Sequence, residues 1–328
     1  MARAREISEF DAIARLRTLF GGKSAHVELG IGDDAALLGR SAGRLVWTVD
    51  SAVEHVHFER AWLSPAELGW RSFQAAASDV SAMGGAPLAA LSSVIFPPRF
   101  SATELQQLAR GQRAAARSLG CAVVGGNLAR GAELSVTTTL VGRVKRALLR
   151  SGARAGDELW LCGTLGLAAA GLRLLQRGKR SGASPAERRA LAAFRRPRAQ
   201  LAAGLLLAGR ARAAIDISDG LAGDAAHLAR ASQVALHLEA RALEAALSPA
   251  LRALSTRLGV PCLDLALYGG EDYALLAAGP ARLRPPDAQV IGTVEPGRGV
   301  WLARDGRLER VGRGFEHSGG RAARRVGR

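Results

Sequence analysis

The sequence predicts a soluble α+β (mixed α/β) protein of two domains, and three observations carry that reading. The chain has 328 residues, about twice the usual length of one domain. Hydrophobic residues make up 48% of it, enough to fill two cores. Helix and strand signals mix in both halves, without the even strand-helix-strand beat of a doubly wound dinucleotide-binding sheet. The crossing falls in VKRALLRSGARAG, between Gly142 and Gly156, which sets a first domain at 1–145, a second at 151–317 and a basic flexible tail at 318–328.

The elements follow in order. Ser8 and Asp11 open an amphipathic stretch in which Ile7, Phe10, Ile13 and Phe20 share one helical side with Arg17 at its edge, and Gly21 and Gly22 stop it. RLVWTVD, residues 44–50, reads as a strand that delivers Asp50 at its end. Ser101 and Glu104 form a capping box ahead of a helix with Leu105, Leu108 and Ala115 on its apolar side, closed by Gly120. AVV at 122–124 and the Thr-rich LSVTTTLVG at 134–142 have strand composition.

In the second half ELWLCG restarts a buried strand. Ser184, Pro185 and Glu187 supply a cap, a first-turn proline and a capping-box acid in helical order. A strand at 213–217, a helix at 220–231, a strand at 233–239 and helical segments over 241–258 come next. QVIGTVEPG and the hairpin VWLARDGRL, turning at Asp305 and Gly306, return to β structure.

Composition narrows the function classes. Net charge is +16, from 45 basic and 29 acidic residues, but Arg is scattered and aromatics are only 5%. A nucleic-acid reader needs its charge gathered in a stripe with aromatics for stacking, so no specific nucleic-acid partner is expected. The densest basic run, SGGRAARRVGR, lies in the tail. Cys121, Cys162 and Cys262 are far apart and lack CxxC spacing, and they read as small core side chains. No stretch is long enough to span a bilayer and MARAREISEF has no apolar signal segment, so the expectation is a cytoplasmic protein with no membrane partner.

The informative feature is a set of acids in Gly-rich or apolar surroundings. They are Asp33 and Asp34 in GIGDDAALL, Asp50 after VWTV, Asp79 in AAASDVSAMGG, Asp216 and Asp219 in AIDISDGLAGD, and Glu271 and Asp272 in LYGGEDYALL. Two like unit charges about 4 Å apart repel by about 4 kcal/mol at an effective dielectric near 20. Arg partners, raised pKa values or bound cations would each relieve such a cluster. Carboxylate oxygens are hard ligands suited to magnesium, which is commonly completed by water and substrate phosphates. A cluster of this kind points to phosphate chemistry. Each segment also has a plainer reading, as a turn cap or helix start; Thr48 could be ordinary strand packing and His57 a structural histidine. GGN at 125–127 could be a backbone turn, and no GxxxxGK[ST] loop is present.

In order and spacing, ELGIGDDAALL, VDSAVEHVHF, SDVSAMGGAP, GGN, RSGARAGD, AIDISDGLAGD, GGEDYALL and GFEH at 314–317 resemble the thiamine-monophosphate kinase family. That family falls in the wider group of aminoimidazole-ribotide synthetase and selenophosphate synthetase. The resemblance implies the two-domain aminoimidazole-ribotide synthetase-like fold, with a dimer-forming N-terminal β core and a C-terminal α/β domain. It implies ATP-dependent, Mg2+-assisted phosphorylation of thiamine monophosphate by a homodimer. It assigns metal ligation to Asp34, Asp50, Asp79, Asp216 and Asp219 with Thr48 assisting, and Asp219 and Asp50 are expected to position phosphate through the metal; no dedicated general base is expected, because a phosphate acceptor is already ionised near neutral pH and no obvious His-acid pair is present. Gly126, Asn127, Arg150 and Ser218 match ATP-contacting positions; His57, Glu271 and Phe315 match substrate-holding ones; Asp33 and Asp272 are supporting residues. Asn127 stands where the family often has Asp and so offers the metal an amide oxygen, and Ala76 stands where it often has Asn. The first Cys, Cys121, lies far from the N-terminal position of a selenophosphate synthetase nucleophile, and the chain ends in Arg328 where the related hydrogenase-maturation protein HypE has a Cys.

Overall fold

A computed structural model describes residues 15–16, 18–20, 27–29, 37–38 and 43–311. Residues 15–16 and 18–20 are helical, at the end of the first expected helix; the start of that helix, Asp33, Asp34, Phe315 and the basic tail lie outside the described residues.

The first half is built on a four-stranded sheet in the order β3-β6-β4-β5. Its strands are β3 (Arg44–Val53), β4 (Ala86–Phe96), β5 (Ala122–Arg130) and β6 (Ser135–Val144). β6 runs antiparallel to both β3 and β4, whereas β4 and β5 are parallel. A short antiparallel ribbon, β1 (Val27–Leu29) with β2 (Leu37–Leu38), precedes it. Strand alternation gives the sheet two unlike faces. Val46, Leu140, Ala90 and Val123 point into a core shared with Trp70, Phe73 and Val80 of the covering helix. On the other face Trp47 is 75% exposed, Val49 62% and Leu45 56%, with Leu91 and Ile95 also exposed.

Helices α1 (Pro65–Ala82) and α2 (Ala102–Ser118) cover the inner face. Both start at complete capping boxes, Ser64 with Glu67 and Ser101 with Glu104. They touch backbone to backbone: a Cβ on Gly69 would lie 2.0 Å from the Leu108 carbonyl oxygen, and one on Gly111 1.9 Å from that of Ala66. Only glycine permits that approach. The sequence reading missed α1, although Ser64, Pro65 and Glu67 are a full start signal. Its residues are buried on nearly every side, from Arg71 and Phe73 to Ser78 and Ser81, so the polar stripe that marks a surface helix is absent. Asp79 sits in the last turn of this long helix; it does not cap a following one. Two further expectations change: β3 continues to Val53, placing Asp50 inside the strand, and GGN lies within β5, so Gly126 and Asn127 are strand residues and not a turn.

The second half is a seven-stranded sheet, ordered β13-β12-β9-β11-β7-β10-β8. It comprises β7 (Glu158–Cys162), β8 (Ala213–Ile217), β9 (Ala235–Glu239), β10 (Ala274–Gly279), β11 (Gln289–Glu295), β12 (Gly299–Arg304) and β13 (Arg307–Arg310). All pairings are antiparallel except β12 with β9. β8 and β10 are buried at every position, which explains why AAIDI and ALLAAG are apolar throughout except at Asp216. Helices α3 (Leu167–Gln176), α4 (Pro185–Arg195), α5 (Leu201–Leu207), α6 (Leu221–Ser232), α7 (Ala240–Ala246), α8 (Pro249–Leu258) and α9 (Cys262–Tyr268) complete it. The α4 capping box and the Asp305-Gly306 hairpin appear as expected. Cys121 and Cys162 are buried, and burial pushes their thiols up to about 12 and about 11, in keeping with core packing.

The two halves meet along α1. The Trp70 indole donates to the Pro197 carbonyl at 2.6 Å, the Arg196 guanidinium stacks 4.4 Å from the Trp70 ring, and Ala199 N–H donates to Gln74 at 2.8 Å. Among the described residues no helix is long and apolar enough to cross a membrane.

Candidate active site

Of the predicted acids, Asp50, Asp79, Asp216 and Glu271 come together where α1 passes between the two sheets. Thr48 and Asp50 share the inner face of β3, because residues two apart in a strand point the same way. Thr48 Oγ1 donates to Asp79 Oδ2 at 2.5 Å, tying β3 to α1. Asp216, in buried β8, is 5% exposed and lies beside Ser78, the neighbour of Asp79. Asp216 is a residue of the expected strand at 213–217, and Asp219 lies in the turn between that strand and α6.

Electrostatics shows that these groups feel one another. Burial first, then the charges of Asp79 and Glu271, raise the Asp50 carboxyl to about 6. Burial and Asp79 raise Asp216 to about 7. Asp79 itself is raised by burial, against the Thr48 hydrogen bond and the Arg150 charge. Arg150 is exposed yet acts on both Asp79 and Asp216, so its guanidinium borders the cluster.

One acid of the site was not singled out from sequence. Asp224, in the first turn of α6, is 4% exposed and accepts the Ser218 and Asp219 backbone N–H groups at 2.9 and 3.0 Å. It fixes the turn that carries both residues. Its position five residues after Asp219 in SDGLAGD was the available signal, since an acid that reaches back to N–H groups ahead of its helix is a capping pattern.

The remaining residues separate by role. Glu271 follows Gly270, where a Cβ would meet the Ser218 oxygen at 2.3 Å, and Glu271 N–H donates to that same oxygen at 2.7 Å. Asp272 turns away and accepts from the Gly166 and Ala168 N–H groups at the start of α3, at 2.7 and 3.3 Å; burial raises it to about 8. It anchors the loop. His57 lies in the turn after β3, where its Nδ1 accepts from Val53 N–H at 3.1 Å, so in the neutral ring the proton sits on Nε2. Gly126 lies in the sheet row of Ser92, Thr138 and Asp50, and a Cβ there would come within 1.8 Å of the Ser92 oxygen. Asn127 falls in the next row, with Ser93, Thr137 and Ser51, and therefore faces the open side of the sheet.

The donor set is all oxygen, which fits magnesium and not a soft metal. Among the described residues no three Asp, Glu, His or Cys side chains gather tightly enough to hold an ion alone. The acids offer one or two ligands at a time, as suits a cation that keeps water and phosphate in its shell.

A set of coupled acids with oxygen donors where two mixed α/β domains meet defines a class, and the comparisons agree with it. Residues 32–144 match the family model of the AIR synthase related protein N-terminal domain, and residues 154–328 that of its C-terminal domain. The thiamine-monophosphate kinase of Aquifex aeolicus (strain VF5) is 35% identical over 302 residues, covering 92% of this chain and 95% of that protein. The crystal structure of the thiamine-monophosphate kinase from Stenotrophomonas maltophilia K279a superposes with a TM-score of 0.81 at 34% identity, covering 92% of this chain and 98% of that one. A structure of AaThiL complexed with AMPPCP and TMP gives a TM-score of 0.77 at 35% identity, over 94% and 96% of the two chains. The chain is thus an AIR synthase-related protein of two domains. Within that class it belongs to the thiamine-monophosphate kinase family.

Proposed function

We propose that the chain transfers the γ-phosphoryl group of ATP to the phosphate of thiamine monophosphate, giving thiamine diphosphate and ADP. Family membership supports the substrate pair. The single structural observation behind the chemistry is the meeting of Asp50, Asp79, Asp216 and Glu271, from four distant segments, at one electrostatically coupled site.

Magnesium held by Asp50, Asp79, Asp216 and Asp219, with Thr48 orienting Asp79, would neutralise the phosphate oxygens of the two substrates and stabilise charge in the transition state. Asp34 belongs to the same proposal from its motif, with Asp33 in support. Arg150 lies at the rim of the acids, where its fixed guanidinium fork suits nucleotide phosphates. Ser218, set by Asp224, and the Gly126 backbone contribute to the nucleotide side. His57 presents Nε2–H, a donor to a substrate phosphate, while Glu271 and Phe315 serve the thiamine portion. The acceptor phosphate monoester has a second pKa of about 6 and is already ionised near neutral pH. No residue need remove a proton from it, so catalysis reduces to positioning and charge stabilisation.

The same reading makes the protein a homodimer through the outer face of the β3-β6-β4-β5 sheet. A solvent-exposed row of Leu45, Trp47, Val49, Leu91 and Ile95 is an apolar patch of the kind that marks an association surface. Asn127 lies on that face and would serve a cleft bordered by the partner subunit.

The test is an assay of purified protein with ATP, Mg2+ and thiamine monophosphate. Thiamine diphosphate and ADP in equal amounts are expected. A folded protein that binds ATP but makes no thiamine diphosphate would be a nucleotide sensor, and the proposal would fall.

A further inference from the structure

The loop Gly269–Tyr273 is held in an unusual shape. Glu271 has φ +71° and Tyr273 φ +50°, two non-glycine residues in the left-handed region on either side of Asp272. Such conformations persist only where the surroundings over-determine them, and they cluster at ligand-binding sites. Here the anchors are explicit: Glu271 N–H donates to Ser218 O at 2.7 Å, Tyr273 N–H to Ile217 O at 2.8 Å, and Asp272 is tied to the start of α3.

The Glu271 side chain is secured just as specifically, but at one oxygen. Tyr273 Oη donates to Glu271 Oε2, and Arg71 Nη2 pairs with the same Oε2 at 2.6 Å. Arg71 comes from the other domain, on α1. Its side chain is 4% exposed, its Nη1 donates to the Phe194 carbonyl, and its guanidinium lies 4.2 Å from the centre of the Phe194 ring. The Glu271 side chain, by contrast, is 28% exposed. A domain-joining ion pair is strongest as a two-pronged fork that uses both carboxylate oxygens. Here both the Tyr273 hydrogen bond and the close Arg71 ion pair fall on Oε2, and among the described residues Oε1 has no such partner.

We propose that Arg71 and Tyr273 are positioning residues, which grip Glu271 by Oε2 so that Oε1 faces an N–H donor or cationic heterocycle of the substrate. On the reading that the substrate is thiamine monophosphate, on which this inference rests, the aminopyrimidine and the thiazolium ring supply that chemistry. Arg71 also carries the position of the N-terminal helix into the substrate side of the C-terminal domain.

The experiment compares the wild-type protein with Tyr273→Phe, Arg71→Lys, Glu271→Gln and the double variant Tyr273→Phe/Glu271→Gln, in steady-state kinetics with each substrate varied and melting temperatures recorded. Loss of a hydrogen bond to a charged group predicts a rise of about tenfold in KM for thiamine monophosphate in Tyr273→Phe. The KM for ATP and kcat should stay within about threefold, the pattern of lost substrate binding. Arg71→Lys should move the same constant in the same direction. In the Glu271→Gln background Tyr273→Phe should add little, because the residues act as one unit. An unchanged thiamine monophosphate KM in both single variants, or equal rises for both substrates, would overturn the proposal and leave the triad as structural glue. If wild-type protein itself makes no thiamine diphosphate, the fault lies with the proposed function and not with this assignment.

Discussion

Replacing Asp216 by Asn should make the metal-free protein more stable while abolishing its activity. Asp216 is 5% exposed in the middle of the molecule, and burial followed by the Asp79 charge raises its carboxyl from 3.8 to about 7. Because the folded value exceeds the unfolded one, the folded chain binds the extra proton between about pH 4 and pH 7, and stability falls as pH rises through that window. Above pH 7 the whole cost of ionised Asp216 is present. The rise from 3.8 to about 7, converted at about 1.4 kcal/mol per pH unit, sets that cost at roughly 4 kcal/mol, an upper figure because neighbouring acids titrate with it. Asn keeps the shape and stays neutral. In chelator at pH 8 the variant should melt roughly 4–8 °C above wild type, with the gap closing near pH 5. Thermal unfolding at the two pH values, with and without Mg2+, reads this directly. Magnesium should raise the wild-type midpoint at pH 8 and do little for the variant. A variant that melts below wild type in chelator at pH 8 would refute the view that these acids are gathered against the interest of the fold.

Other consequences follow from the geometry. Asp224→Asn, which weakens the hold on the Ser218 and Asp219 N–H groups, should lower kcat by about tenfold to a hundredfold and raise the Mg2+ requirement, as second-layer changes at metal sites do; kinetics across a magnesium titration checks it. Gly69→Ala places a methyl 2.0 Å from the Leu108 oxygen, so α1 and α2 must separate, at a cost of about 1–3 kcal/mol or more in urea unfolding. Trp47→Glu, at a position 75% exposed on the outer sheet face, should turn the proposed dimer into a folded monomer in analytical ultracentrifugation; a wild-type protein that is already monomeric would remove the proposed interface.

What the sequence disclosed depended on how local each signal was. The Ser101 and Ser184 capping boxes, the Asp305-Gly306 hairpin and strand 213–217 are written in contiguous residues and appear where expected. Helix α1 was hidden because it is buried on nearly every side and lacks the polar stripe of a surface helix, although its start signal is complete. GGN looks like a turn to a reader of dipeptides, yet β5 is extended through it because Gly126 must clear the Ser92 backbone in the neighbouring strand. At the site, the identities of Asp50, Asp79, Asp216 and Glu271 were legible from their apolar, Gly-rich settings. Arg71, Tyr273 and Asp224 were not, since their importance lies in partners distant in sequence or in backbone N–H groups.

The path of α1 has a consequence for the molecule as a whole. One helix supplies Phe73 and Val80 to the first core, Trp70 and Gln74 to the seam, and Arg71 to the far loop. Neither half can therefore melt while the other stays intact, for each would strip the same rod of its surroundings. The protein should denature in a single cooperative step despite its two sheets, with the loops around the acids freer to move than the two halves against each other.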